Sequence, residues 1–150
     1  MDLKTNRASI ELIAKVLIIN KQKEALVLTI GEHRQNPDRS YTPDLPGGIA
    51  EKNEDGLQAV IRETREEAGI KLNANDLNLA YTKTEYKDQE NKSVSKMLYF
   101  TYIEKIPKIT LSREHASYKW VPIDELLASN KFRLFFEEAI KYSIDNNLIS

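Results

Sequence analysis

Apolar positions along this chain follow two periods. From Ile10 to Asn20 the run IELIAKVLIIN is apolar almost throughout, which predicts a strand covered on much of both faces. Asn20-Lys21-Gln22-Lys23 reads as a polar turn, and Ala25–Ile30 as the returning strand of a hairpin. Asp76–Lys87 and Val94–Glu104 read as a second, longer hairpin, and Tyr118–Val121 as a short strand. Tyr99, Phe100 and Tyr102 fall on both faces of their strand and are read as core. Elsewhere the period is helical. Leu57, Val60, Ile61, Thr64 and Ala68 form one stripe; Phe132, Phe136, Ala139, Ile140 and Ile144 form another. Pro122 opens a short helix between them, with Asp124 and Glu125 in its first turn. Two hairpins with amphipathic helices on both faces predict an α/β/α sandwich, its first helix on one side and its last on the other.

Composition narrows the class. The chain has 150 residues, 41% hydrophobic and 30% charged, enough for one domain over residues 1–150 with a real core. A net charge of -1 gives no electrostatic case for duplex nucleic acid or an anionic membrane. With no cysteine there is no disulfide framework and no thiolate zinc site. The polar opening MDLKTNRAS and the lack of a membrane-length apolar run predict a soluble, cytoplasmic protein. G-x-S-x-G, P-loop and G-x-G-x-x-G motifs are all absent, so acyl-enzyme and Walker-type chemistry have no support.

Candidate chemistry gathers around the first helical stripe. Gly47-Gly48 after Pro46 predicts a tight turn, Asn53 a helix N-cap with Glu54 and Asp55 in the first turn, and Gly69 the C′ glycine. Glu63, Glu66 and Glu67, spaced i, i+3, i+4, share one side of this helix, with Glu67 nearest the buried stripe. Small Gly56 and Ala59 precede them in the same sector. Three carboxylates in one turn repel each other, and a hard divalent cation such as Mg²⁺ or Mn²⁺ reverses that sign. A solvated helix face with an ordinary Arg62–Glu66 pair would explain the carboxylates alone. It does not explain the complete pattern of Gly48, Glu54, Arg62, Glu63, Glu66, Glu67 and Gly69, which arises by chance on the order of once in a million at average residue usage.

That spacing resembles the signature of the Nudix hydrolases, MutT-like pyrophosphohydrolases: G-x5-E-x7-R-E-U-x-E-E-x-G-U, with U bulky and apolar. Ile70 meets the second U, and Thr64 meets the first only loosely. Pro43-Asp44-Leu45-Pro46-Gly47-Gly48 is similar to the family's usual lead-in. The resemblance implies a Nudix-type α/β/α sandwich with a mixed β-sheet between helices, and Mg²⁺-dependent hydrolysis of a phosphoanhydride bond in a nucleoside diphosphate derivative, with Mn²⁺ as a substitute. Glu63, Glu66 and Glu67 would hold metal together with a carbonyl of Gly47 or Gly48, and one of the three, or Glu114, would act as base. Arg62 would orient the carboxylates, and Glu54 would support Arg62 or act as a peripheral ligand. Arg39, Tyr41 and Gly48 are the candidate substrate contacts; His33 and Arg34 read as solvated loop. Glu114, six residues before Trp120, is the candidate loop acid that completes the metal shell or activates water, with Glu85 as its rival. His115 reads as a supporting or surface residue and Trp120 as core. A (d)NTP is the favoured substrate. ADP-ribose, a dinucleoside polyphosphate, or a nucleotide-sensing module without catalysis are the alternatives, and pairing as a homodimer is left open.

Overall fold

The computed structural model describes residues 9–150; residues 1–8, the polar opening from which no leader was expected, lie outside it. Its strands are β1 (Ile10–Ile19), β2 (Glu24–Ile30), β3 (Pro43–Asp44), β4 (Gly47–Ile49), β5 (Asn78–Lys87), β6 (Lys92–Tyr102) and β7 (His115–Pro122). Its helices are α1 (Gly56–Ala68), α2 (Leu126–Ser129) and α3 (Leu134–Asp145). The seven strands form one sheet in the order β3-β2-β1-β6-β5, with β4 also on β1 and β7 also on β2. β1 and β6 run parallel from Ile10↔Ser93 to Ile19↔Tyr102, while the other pairings are antiparallel, so the sheet is mixed.

The two expected hairpins form, but the first splits. β1 and β2 pair only near the turn, at Ile19↔Ala25. Beyond it the Pro43–Ile49 segment enters the gap: β3 pairs with β2 at Leu28↔Asp44, and β4 pairs with β1 at Ala14↔Gly48. The residues expected to make a tight turn, Gly47 and Gly48, are therefore a short strand. Glycine is required at 47 because φ is +129° and a Cβ there would run into the Ala14 carbonyl and approach Lys15 Cα to 2.7 Å.

Alternation along β1 and β2 divides the core between two faces. Leu17, Ile19, Ala25 and Val27 pack with Phe135, Phe136, Ala139 and Ile140 of α3. Val16, Ile18, Leu26 and Leu28 pack with Val60 and Ala68 of α1. The helices thus lie on opposite faces, which is the expected sandwich. Trp120 packs at the edge of the α1-side core, whereas Tyr102, expected inside, is exposed because β6 ends there. Thr64 is fully buried, filling an apolar position with a hydroxyl that has no hydrogen-bond partner. No helix among the described residues is long and apolar enough to cross a membrane.

Helix α1 starts two residues later than expected. Asp55, not Asn53, is the N-cap; its carboxylate accepts from Gln58 N at 2.7 Å, and Gln58 Oε1 accepts from Asp55 N at 2.9 Å. This reciprocal pair satisfies two otherwise orphaned donors. Asn53 instead takes a left-handed turn at φ +67°, and Glu54 precedes the helix rather than lying in its first turn. At the other end Gly69, at φ +70°, closes the helix as expected. Accordingly Asp55→Ala should cost about 1 kcal/mol in urea unfolding, while Asn53→Gly should change stability by less than about 0.5 kcal/mol because glycine suits its backbone. The reverse order would restore the cap to Asn53.

Candidate active site

A cleft of about 850 Å³ opens where the split of β1 and β2 meets α1 and α3. Glu63, Glu67 and Glu114 line it together with Gly47 and Gly48; Lys15, Arg39, Lys87, Lys96 and Arg133 also line it. Opposite charges therefore face a common space, as a site for a metal-bound polyanion requires.

Arg62 organises the solvent side of α1. Its guanidinium donates to both Glu54 oxygens at 2.9 Å, to Glu63 at 2.9 Å, to Glu66 at 3.2 Å and to the Ile49 carbonyl at 3.1 Å. The planar fork thus ties the helix to the loop before it and to β4. Hydrogen bonding from Arg62, aided by the Glu51 backbone N–H bond, lowers the Glu54 carboxyl pKa to about 2. Bonding to Glu54 in turn raises the affinity of Arg62 for its proton. Glu63 turns from Arg62 toward β4: a Cβ on Gly48 would fall 2.7 Å from its carboxyl carbon. The absent side chain makes room for that carboxylate.

Glu67 has a different environment. It is buried, and its Oε1 accepts from Gly47 N at 2.8 Å. Burial pushes its pKa up to about 7, although Lys15 and the Gly47 bond oppose that shift. Beside it lies a buried network built from four elements. Asp44 accepts from Lys15 at 3.1 Å and Arg133 at 3.0 Å, and its other oxygen lies 3.0 Å from His115 Nε2. Burial alone would raise the Asp44 pKa, but Lys15, the His115 bond and Arg133 outweigh it and hold the group well below the usual carboxylate range. Lys15 also donates to the carbonyls of Leu45 and Gly47, each at 3.1 Å.

Two sets of groups offer themselves to a cation. One is Glu63, beside Gly48, with Glu67, on the Gly47 N–H. It is oxygen-only, one carboxylate is buried and the other sits in a cradle that a Cβ would fill, so it fits a hard divalent ion. The other is Asp44, Glu67 and His115, whose donor atoms lie within 4.8 Å of one another. There Asp44 is already neutralised by Lys15 and Arg133, whose positive charges oppose a further cation.

The structure therefore brings some sequence candidates together and separates others. Glu63, Glu67, Gly47, Gly48, Arg39 and Glu114 share the cleft. Glu66 remains on the Arg62 side and largely exposed, so the three helix acids do not share one environment. Tyr41 is exposed and does not line the cleft. The Gly47 carbonyl, expected as a metal ligand, accepts from Lys15 at 3.1 Å. His115 begins β7 instead of lying in the loop before it, and it is buried. Sequence reasoning missed Lys15, Asp44 and Arg133; a lone lysine inside the apolar run of β1 was the available signal.

A mixed sheet between helices, with a glycine strand facing a glutamate-bearing helix, defines a class. The NUDIX domain model matches residues 11–141, and the chain belongs to that family. Over 91 residues it is 29% identical to the asymmetrical bis(5'-nucleosyl)-tetraphosphatase of Caenorhabditis elegans; the match spans 61% of this chain and 64% of that protein, just under two thirds. The structure of a MutT protein from Methanosarcina mazei Go1 shares the fold with a TM-score of 0.74 and 24% identity, covering 93% of this chain and 97% of the other. A C. elegans Ap4A hydrolase in a binary complex shares it with a TM-score of 0.63 and 23% identity, covering 91% and 97% respectively.

Glu67 makes a prediction about pH. Its folded value near 7 lies above the ordinary 4.5, so folding favours the protonated form. Without metal, that stabilisation is complete below about pH 4.5 and is lost as pH rises through 7, by about 3 kcal/mol. Glu67→Gln removes this dependence. Urea unfolding in chelator from pH 4.5 to 8 should therefore show the variant gaining on the wild type as pH rises, whereas parallel profiles would contradict the assignment.

Proposed function

We propose that this chain, acting as one domain over residues 1–150, hydrolyses a phosphoanhydride bond in a nucleotide with Mg²⁺, for which Mn²⁺ substitutes. The observation that carries the reading is Glu63 beside Gly48 and Glu67 on the Gly47 N–H, at a cleft that also holds five cationic side chains. Glu63 and Glu67 would hold the metal, with Glu66 as an outer partner. When bound, the ion neutralises charge on the pyrophosphate and polarises it for attack by water.

The chain's own groups do the rest. Gly47 N–H fixes one oxygen of Glu67. Arg62 fixes Glu63 and holds Glu66 beside it. Glu114 is the candidate base. It lies in the loop before β7, lines the cleft, and its loop is anchored where Gly31 N donates to its backbone carbonyl at 2.8 Å. Its rival Glu85 does not line this cleft and is paired with Lys83 at 3.3 Å. Arg39 is placed to bind phosphate. A (d)NTP is the first reading. A dinucleoside polyphosphate is the second reading, favoured by the similarity to the C. elegans tetraphosphatase. The presence of Glu63, Glu66 and Glu67 speaks against a sensing module without catalysis.

Activity on a nucleotide panel should require Mg²⁺ or Mn²⁺ and vanish in EDTA. Glu67→Gln should lower kcat by roughly 10²-fold or more. Glu114→Gln should lower kcat with KM nearly unchanged, and Glu85→Gln should do little. Full activity in chelator would refute the metal role, and a crippled Glu85→Gln beside a silent Glu114→Gln would move the base to β5.

A further inference from the structure

Among the described residues, three of the five lysines and arginines that line the cleft make no ion pair with its carboxylates. Arg39, Lys87, Lys96 and Arg133 all line it. Among the described residues, Arg133 makes an ion pair only with Asp44, which Lys15 and His115 share, and Arg39, Lys87 and Lys96 make none. Burial lowers the affinity of Lys96 for its proton, with Arg133, Lys87 and Arg39 adding to the effect against the opposing charge of Glu85. Burial and Arg39 act on Arg133 in the same direction, against Asp44. The Nε atoms of Arg39 and Arg133 are buried without a hydrogen-bond partner. Converging cations with unused buried donors are groups that a bound anion would satisfy.

Geometry favours an extended anion. Lys96 on β6 is in register with Ile13 on β1, which is in register with Ile49 on β4. Lys96 is thus two strand spacings from the glycine strand, roughly 10 Å, a span suited to a phosphate chain. The aromatic floor is already covered: Lys96 Nζ lies 5.7 Å from the Phe135 centroid, and the Arg133 guanidinium 4.9 Å from that of Phe136. Neither ring is open for a base, and Tyr41 lies outside the cleft.

We propose that Arg39, Lys87, Lys96 and Arg133 form a phosphate-binding wall that holds the phosphates beyond the scissile bond, so that the chain selects nucleotides with three or more consecutive phosphates over nucleoside diphosphate sugars. This rests on the hydrolytic reading above. The wall reads charge and chain length, and it leaves the base little to say. Dinucleoside tetraphosphates and nucleoside triphosphates satisfy it, while ADP-ribose, whose two phosphates are both engaged at the scissile bond, leaves it empty.

Two measurements test the wall. The first is calorimetric titration of the metal-free protein in EDTA with inorganic tripolyphosphate and with pyrophosphate. Tripolyphosphate should bind at least about tenfold more tightly, a difference of 1.4 kcal/mol, and added salt should weaken it. Lys96→Gln and the surface change Lys87→Gln should each weaken it at least about fivefold, and Lys96→Arg should restore it. The second is kcat/KM with Mg²⁺ on diadenosine tetraphosphate, ATP and ADP-ribose. The wild type should prefer the first two, and Lys96→Gln should reduce that preference. Equal kcat/KM on all three, or tripolyphosphate binding unaltered in the variants, overturns the wall while leaving hydrolysis standing. Wall-dependent binding of tripolyphosphate in a protein that cleaves no nucleotide supports the wall and overturns the hydrolytic reading.

Discussion

The site depends on how closely β4 approaches β1. Gly47 adopts a backbone conformation that glycine takes freely, at a point where a Cβ would collide with the Ala14 carbonyl. Because the strands meet there, both polar groups of the Gly47 peptide turn to side chains: its N–H to Glu67 and its carbonyl to Lys15. One residue later, Gly48 leaves space for the Glu63 carboxylate. Two adjacent glycines thus set the distance between strand and helix and orient two acids from successive turns of α1. A side chain at either position would displace the chemistry before it reached the core.

The same helix places its carboxylates in two electrostatic states. Arg62 supplies fixed positive charge to Glu54, Glu63 and Glu66 on the solvent side. Glu67 faces inward, where burial favours its neutral form. A buried carboxylate that prefers a proton is also a group that gains from a dication, since metal and proton compete for the same oxygens. The neighbouring Asp44 shows the contrast: it is equally buried, but Lys15, His115 and Arg133 have already compensated it. Metal affinity is therefore expected where charge is uncompensated rather than where acids merely cluster.

Local features were legible in the sequence. The α1 stripe, its terminal Gly69, both hairpins and the opposed helices follow from short-range periodicity, and the spacing of Gly48, Glu54, Arg62 and the glutamates lies within one loop and one helix. The N-cap was misplaced because Asn53 and Asp55 are both good caps, and only the backbone chooses between them. Lys15 could not be read, since a charge within IELIAKVLIIN has no local partner; its partners arrive from residues 44–47. Asp44, His115 and Arg133 likewise converge from β3, β7 and the start of α3. Periodicity reports which face a residue occupies but not which distant residue it meets there, so the split of β1 from β2 and the cationic wall appear only in three dimensions.

The central claim is that Glu63, beside Gly48, and Glu67, on the Gly47 N–H, are the residues that would hold a metal. Anomalous diffraction from crystals soaked in Mn²⁺ tests it most directly, because it locates the ion without reference to activity. The account predicts a manganese peak bonded to both Glu63 and Glu67 on the Gly48 side of the cleft. A peak bonded to Asp44 and His115 instead, or an empty glutamate site at saturating Mn²⁺, would contradict it.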